Sequence, residues 1–201
     1  MSIKLNEIIQ SNPVFLAPMS GITDLPFRSQ VQNYGNSLVF SEMNASSELV
    51  HLLKNDKRFY RNEFINRKKG PVAFQIAGWD PHLMSCAASL LEERGAQIID
   101  INMGCPAKKV VKRYAGSALM KDLLLARDII DSVVKATSLP TTLKMRLGWD
   151  EDTKNAPELA KIAENYGIKL ITVHGRTRHQ FYKGVADWKF ISKVKQNVKI
   201  P

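Results

Sequence analysis

Short apolar runs alternate with segments of helical spacing along almost the whole chain, and glycine or proline separates them repeatedly. The apolar runs are PVFLAPM near Val14, SLVFSEM near Leu38, PVAFQIA near Val72, AQIIDINMG near Ile98, PTTLKMRLG near Leu143, KLITVHG near Ile171 and a last VKIP. Between them, the segment DPHLMSCAASLLEERG has Asp80 as helix N-cap, Pro81 at the first helical position and Gly95 past its end. This alternation predicts βα units, and therefore parallel strands covered by helices.

The polar residues at the strand ends decide between two parallel-sheet architectures. Such residues stand at or just past the carboxyl ends of successive predicted strands: Ser41, Glu42, Gln75, Asn102, Lys144, Arg146 and His174. A (β/α)8 TIM barrel assembles its active site from one strand end after another, whereas an open doubly wound sheet concentrates such groups at one switch point. The pattern therefore favours an α/β fold of the TIM-barrel type.

The length of the chain limits how much of a barrel it can form. A complete barrel typically needs about 250 residues. This sequence has 201 residues, with six predicted strands complete and a seventh begun. We therefore expect a barrel truncated after about six βα units, and a complete gene product that is longer, because an open apolar sheet edge is a state that folded proteins usually avoid.

Charge and cysteine content narrow the classes of partner. The chain has 29 Lys plus Arg against 19 Asp plus Glu, giving a formal charge of +10 and a pI near 9.6. This excess favours a polyanionic partner such as nucleic acid, although dispersed solvated cations would give the same total. The two cysteines, an N-terminus without a secretory signal and the absence of a transmembrane run predict a cytoplasmic protein with reduced thiols and no membrane partner.

A thiol and a basic cluster stand together after the fourth apolar run. Cys105 follows INMG, so it is expected in the loop that leaves the fourth strand, as a nucleophile, a proton donor or an inert small hydrophobe. The cations that follow it within two helical turns are Lys108, Lys109, Lys112 and Arg113. They are either a solvated face or phosphate ligands, and their place at the expected site favours phosphate contact. Cys86 lies on an apolar helix face and is predicted to be structural.

The segment TVHGRTRHQFYKGVADW is the second basic element. His174 ends a predicted strand, and Arg176 and other cations surround Phe181 and Tyr182. Cations interleaved with aromatic rings suit the stacking of unpaired bases, whereas a satisfied core histidine is the ordinary alternative for His174. The sequence contains no zinc-site spacing, no P-loop and no G-x-G-x-x-G fingerprint, so no metal is predicted.

Four segments in this order resemble the tRNA-dihydrouridine synthases, especially the bacterial B-type enzymes. They are FLAPMSGITDLPFR, NMGCPAKKVVKRYAGSALMKD, LKMRLGWD and VHGRTRHQFYKGVADW, and the resemblance extends from Val14 to Pro201. It implies an FMN flavoprotein that reduces the C5=C6 bond of particular uridines in tRNA, with NADPH as the reductant. In that chemistry Cys105 matches the general acid that protonates C5 while flavin N5 delivers hydride to C6.

The resemblance also implies roles for the other site residues. Pro18 and Met19 match positions that lie against the flavin. The matches to side chains that hydrogen-bond or charge-stabilise the isoalloxazine ring are Gln75, Lys144 and His174, with Lys144 the expected cation near N1 and O2. The matches on the substrate side are Asn102 towards the target uracil, Arg176 towards tRNA and flavin, and Lys108, Lys109 and Arg113 as cations that hold the RNA.

Some family elements are missing from the sequence. Family members continue with an Asn-Gly-Asp strand, a Gly-Arg element for the FMN phosphate and a helical domain that grips tRNA, so residues 1–201 are expected to be a partial FMN-binding barrel domain that retains FMN weakly or not at all. Two alternatives stay open. One is another FMN-dependent barrel oxidoreductase that acts on a small molecule, and the other is a truncated, non-catalytic RNA-binding product. No sequence feature indicates an oligomeric state.

Overall fold

A single parallel β-sheet forms the centre of the protein, for which the computed structural model describes residues 5–35, 37–55 and 70–201. Its strands are β1 (Val39–Phe40), β2 (Asn44–Ala45), β3 (Val72–Ala77), β4 (Ile98–Met103), β5 (Thr141–Arg146) and β6 (Leu170–His174). The neighbours follow chain order, β1-β3-β4-β5-β6, and β2 pairs with β3 beyond the end of β1. Within the described strands the order never reverses, whereas a doubly wound sheet has a point at which the strand order reverses. The predicted α/β class with parallel strands is confirmed, and the order is that of part of a (β/α)8 barrel.

Helices connect successive strands. Within the described ranges they are α1 (Leu5–Ser11), α2 (Leu25–Asn33), α3 (Ser46–Asn55), α4 (Pro81–Glu93), α5 (Lys108–Val111), α6 (Leu123–Ala136), α7 (Ala156–Asn165) and α8 (Trp188–Asn197), with a 3-10 helix at Gly116–Lys121. Asp80 caps α4 as predicted, because its Oδ1 accepts hydrogen bonds from the backbone N–H of His82 and Leu83. The sequence of residues 45–70, ASSELVHLLKNDKRFYRNEFINRKKG, predicts a mostly helical segment. Helix α3 confirms its first part, and residues 56–69 lie outside the described residues.

Two of the predicted strands are shorter than their apolar runs. The run near Val14 contributes one parallel bridge, Leu16 to Val39, because prolines flank it and a proline has no N–H for a ladder. The run near Leu38 divides into β1 and β2 because the hydroxyl of Ser41 interrupts the backbone ladder. Its Oγ accepts the N–H of Gln75 at 3.0 Å. At the other side of the sheet, Ile171 N donates to Pro201 O at 3.0 Å, so the last run reaches β6.

The core holds the strand ends in place. All six residues of β4 and five of six in β3 are buried, because helices cover one face and the strand interiors meet on the other. Helices α4 and α6 pack on each other and on the sheet through Ala87, Leu91, Ile129 and Val133, all fully buried. Cys86 is partly buried against this core, in agreement with a structural role.

Two further findings concern residues 5–35, 37–55 and 70–201 only. No helix there is long and apolar enough to cross a membrane. No group of three or more His, Cys, Asp or Glu side chains there could hold a metal ion.

Candidate active site

A chain of hydrogen bonds links the neighbouring strands β5, β4 and β3. The buried carboxylate of Asp100 accepts from Thr142 Oγ1 at 2.5 Å and from Gln75 Nε2 at 2.6 Å. Gln75 Oε1 in turn accepts from Asn102 Nδ2 at 2.8 Å. A carboxylate can only accept, so Asp100 fixes the orientation of the Gln75 amide, and that amide fixes the orientation of Asn102.

The far end of this chain holds the backbone of the thiol loop. Asn102 Oδ1 accepts from the backbone N–H of Gly104 at 3.1 Å and of Cys105 at 2.9 Å. On the other side, the Cys105 carbonyl accepts from both the N–H and the hydroxyl of Ser117. Gly116 makes this close approach possible: its φ is +62°, and a Cβ there would lie 2.8 Å from the Cys105 carbonyl oxygen. The loop is therefore held by its backbone, and the half-buried thiol of Cys105 stays available for chemistry.

Arg146 joins the thiol loop to the loop after β6. Its Nε donates to the Gly104 carbonyl at 2.8 Å, and its Nη1 donates to the carbonyls of Thr177 and Phe181 at 2.9 Å each. The same guanidinium lies 5.8 Å from the centre of the exposed Tyr182 ring. One buried side chain thus sets the spacing of two loops, at Gly104 and at Thr177, that are more than seventy residues apart in sequence.

The cations around His174 keep its imidazole neutral. Burial, and then the positive charges of Arg146, Lys144 and Arg176, lower the pKa of His174 to about 4. Arg176 Nη1 lies 3.3 Å from His174 Nε2, and because a guanidinium only donates, Nε2 is the acceptor. The predicted strand-end residues Lys144 and His174 are therefore brought together with Arg176, which was predicted on the substrate side of the site.

Burial is also the largest influence on the pKa values of Asp100 and Lys144. It raises the pKa of Asp100 to about 6, against the lowering effects of Thr142, Gln75 and Lys144. Burial also lowers the pKa of Lys144, while the attraction of Asp100 partly offsets this. A positive side chain that has lost much of its hydration is well placed to meet a negative group on a ligand.

These shifts predict opposite effects of acid on stability. The stabilisation linked to His174 is complete above its ordinary pKa of about 6.5 and is lost as the pH falls towards 4. The contribution of Asp100 is complete below about pH 3.8 and is lost as the pH rises towards 6.

Replacing His174 by glutamine should therefore make the protein less sensitive to acid. Between pH 6.5 and 4.5 the variant should lose roughly 1 to 2 kcal/mol less unfolding free energy than the unchanged protein, after allowance for partial exposure.

Urea unfolding at a series of pH values measures this difference, and His82→Gln, at an exposed histidine on α4, is the matched control. An acid loss in His174→Gln equal to that of the unchanged protein would contradict the assignment.

The remaining predicted residues occupy the same edge of the sheet. Pro18 and Met19 lie in the loop after the first apolar run, where Thr23 Oγ1 accepts from Met19 N at 3.0 Å. Gly21 N in the same loop donates to Glu42 Oε1, just past β1. Lys108, Lys109 and Arg113 are exposed on and just after α5, directly after the thiol. Arg113 makes only a loose ion pair with Glu48, at 3.7 Å.

Sequence reasoning missed two residues that organise the site, Asp100 and Ser117. A signal existed for Asp100, because it is the one charged residue inside the otherwise apolar run IIDINM. Ser117 carried no signal, because its role depends on a turn that brings it back to Cys105. Arg146 was predicted at the site by its strand-end position, but its three carbonyl partners were not.

The donor set suits a flat heterocyclic cofactor with carbonyl groups and a region that becomes negative. Lys144 supplies a dehydrated cation, and Gln75 retains one further N–H beyond the internal bonds described above. The Nε of Arg176 is buried and has no hydrogen-bond partner among the described residues. These features fit the isoalloxazine ring of FMN, which such donors would hold.

Comparisons with known proteins identify relatives of this chain. Residues 15–201 match the protein family described as dihydrouridine synthase (Dus). A probable tRNA-dihydrouridine synthase of Rickettsia conorii is 51% identical over 199 residues, which are 99% of this chain and 60% of that protein. A probable tRNA-dihydrouridine synthase of Rhodobacter capsulatus is 48% identical over 100% of this chain and 61% of its own length. The tRNA-dihydrouridine synthase B of Pasteurella multocida is 48% identical over 94% of this chain and 56% of its own length.

The chain thus spans about 60% of the length of the Rickettsia relative, and its predicted family resemblance, including that to the B-type, is confirmed.

Proposed function

We propose that this chain, which belongs to the dihydrouridine synthase family, is the catalytic barrel part of an enzyme that reduces uridine to 5,6-dihydrouridine in tRNA. The names of its relatives state this substrate and product for those proteins. The observation that carries the proposal is the position of Cys105, whose half-buried thiol stands directly before the basic segment that begins at α5, on a loop to which Arg146 donates a hydrogen bond. A tRNA substrate and two free cysteines suit the reducing cytoplasm.

Cys105 would act as the general acid. A thiol on a loop held by Asn102 and Ser117 can give its proton to C5 of a uracil at a fixed position. The loop need not move, because the Cys105 atoms that these side chains hold are its backbone N–H and carbonyl and not its sulfur. The second Nδ2 hydrogen of Asn102 is not used in the bond to Gln75 and can donate to a carbonyl of the base. Arg146 would keep this loop at a constant distance from the loop after β6.

FMN would supply the hydride for C6, and NADPH would supply the reducing equivalents to FMN. Gln75, Lys144 and His174 would hold the ring, with Pro18 and Met19 against it. Lys144 would face the region that gains negative charge, and neutral His174 could accept or donate a hydrogen bond without adding a further positive charge.

Cations after the thiol and on the loop after β6 would bind the RNA backbone. Lys108, Lys109 and Arg113 stand directly after the thiol, and Arg176 stands between His174 and the carbonyl of Gly184, to which its Nη2 donates at 2.8 Å. Cations that contact phosphates give an affinity that falls steeply with salt, which a small-molecule oxidoreductase would not show.

Incubation of the protein with FMN at a saturating concentration, NADPH and an unmodified tRNA transcript tests the proposal. We expect a mass gain of about two daltons on specific uridines, from the two hydrogens added across one double bond. The Kd for tRNA should also rise by roughly 10-fold or more between low and physiological salt. NADPH oxidation that depends on a small enone or pyrimidine but not on tRNA would instead support the small-molecule alternative.

A further inference from the structure

A second concave site lies beside the thiol loop, on the side away from His174. It has a volume of about 260 Å³ and is formed by three separate segments of the chain. The first is the start of α3 with Ser46, the second is the turn between β3 and α4 with Trp79, and the third is the basic segment around Lys109 and Arg113. This volume is slightly below the usual range for small-molecule sites, so it suits one ring system rather than a whole cofactor.

An aromatic ring and two cations give this pocket its chemistry. Trp79 is 53% exposed although it is the largest side chain of the turn. Lys109 is exposed, and among the described residues it has no ion-pair partner. Arg113 has only the loose, exposed pair with Glu48 at 3.7 Å, which a phosphate could replace at little cost. A base stacks on such a ring irrespective of its identity, while the cations hold the adjoining phosphates.

The acidic side chains of the pocket do not oppose a polyanion strongly. Asp80 is used as the N-cap of α4, because its Oδ1 accepts two backbone N–H groups. Glu48 is exposed, so solvent screens its charge once a phosphate takes its place beside Arg113. Gly78 closes the wall between them, since a Cβ there would lie 2.3 Å from Ser46 Oγ. The wall of the pocket is therefore formed by chain segments that pack closely against each other.

The pocket is one side-chain layer from the reacting thiol. Val110 and Ala115 line it. Measured from a Cβ placed on Gly116, Val110 Cγ1 lies at 3.0 Å and Cys105 Cβ at 3.1 Å, so Val110 and Cys105 are neighbours. Tyr114, which is 73% exposed at a φ of +55°, extends the aromatic and basic surface outwards from Arg113. A surface that continues out of the pocket in this way suits a polymer better than a small ligand.

We propose that this pocket binds an unpaired nucleotide next to the reacting uridine, with its base stacked on Trp79 and its phosphate held by Lys109 and Arg113. The inference rests on the proposed function, because it concerns the same RNA substrate. When the target uridine turns out of the base stack of the RNA, it leaves a gap beside the adjoining base. Binding that adjoining base in the pocket would stop the stack from closing again while the uridine occupies the site near Cys105.

The test is the affinity for unmodified tRNA of the unchanged protein and of Trp79→Ala, measured by fluorescence anisotropy. Each transcript is intact or carries one abasic nucleotide beside the target uridine. With intact tRNA, Trp79→Ala should bind roughly 5- to 100-fold more weakly. With the transcript that lacks the captured base, the two proteins should bind alike.

Trp79→Phe should retain most of the affinity, and Tyr34→Ala, at an exposed aromatic after α2, is the matched control. Lys169→Gln, before β6 at the opposite edge, is the charge control for Arg113→Gln.

Three outcomes overturn the inference. The first is an affinity of Trp79→Ala equal to that of the unchanged protein, and the second is a loss that is the same on every abasic transcript. A raised KM for NADPH with unchanged tRNA affinity would assign the pocket to the dinucleotide and also overturn it. Dihydrouridine formation by the unchanged protein is measured in parallel. If dihydrouridine forms but tRNA binding does not depend on Trp79, only this inference is refuted. If no dihydrouridine forms but tRNA binding depends on Trp79, only the proposed function is refuted.

Discussion

Replacing Cys105 by alanine is expected to slow dihydrouridine formation by roughly 100- to 10,000-fold, the usual contribution of a general acid. The physical reason is that the hydrogen bonds which hold this loop involve the backbone N–H and carbonyl of Cys105 and not its sulfur. The variant should therefore keep the conformation of the loop and lose only the proton donor. Its tRNA affinity should remain within about threefold of that of the unchanged protein, because the basic residues after the thiol are untouched.

Single-turnover reduction of tRNA, followed by mass spectrometry of the digested nucleosides, measures the rate. Cys86→Ala is the matched control, because Cys86 is partly buried on α4 among core residues and should react at the normal rate. Equal rates for Cys105→Ala and the unchanged protein would mean that another group, or water, protonates C5. A slow variant that also binds tRNA weakly would indicate that the loop had moved.

The positions of the site residues could be predicted from the sequence because they follow from topology. Parallel strands in chain order put every carboxyl end at one edge, so a polar residue at the end of each apolar run marks the site. Gln75, Asn102, Lys144 and His174 were found in this way. Asp80 as a cap and Cys86 as a core residue followed from local patterns, which do not depend on distant parts of the chain.

The contacts among those residues could not be predicted, since they depend on side-chain orientation across strands. Gln75 and Asn102 both use part of their amides on each other, and Asp100 decides which way each amide faces. Ser41 divides an apolar run into two short strands by accepting one N–H. The pocket with Trp79 is built from segments that are far apart in sequence, and no pattern within any one of them indicates it.

With FMN supplied at a concentration that saturates the protein, replacing Lys144 by methionine is expected to slow reduction of FMN by NADPH by roughly 100-fold, the typical loss when one preorganised charge is removed from a site where charge develops. Methionine keeps the length of the side chain and removes its charge. Lys144 is half-buried and desolvated, so water screens its charge only weakly. Stopped-flow absorbance of the flavin measures the rate directly, without tRNA.

The same substitution should change Asp100. Without the attraction of Lys144, burial will raise the pKa of the Asp100 carboxyl further above 6. A raised pKa of a carboxyl costs stability once the pH is above its value in the unfolded chain, so Lys144→Met should be less stable at pH 8 than at pH 5, relative to the unchanged protein.

The double variant Lys144→Met with Asp100→Asn separates the two effects. It removes both charges, so its stability should depend on pH less than that of Lys144→Met alone, although one bond from Thr142 or Gln75 is weakened. Its flavin reduction should stay slow, because the cation is still missing. Lys169→Met, at an exposed lysine before β6, is the control for loss of a charge alone. Recovery of the reduction rate in the double variant would show that the slow reaction came from the stranded carboxylate, and Lys144 would then lose its assigned role beside the flavin.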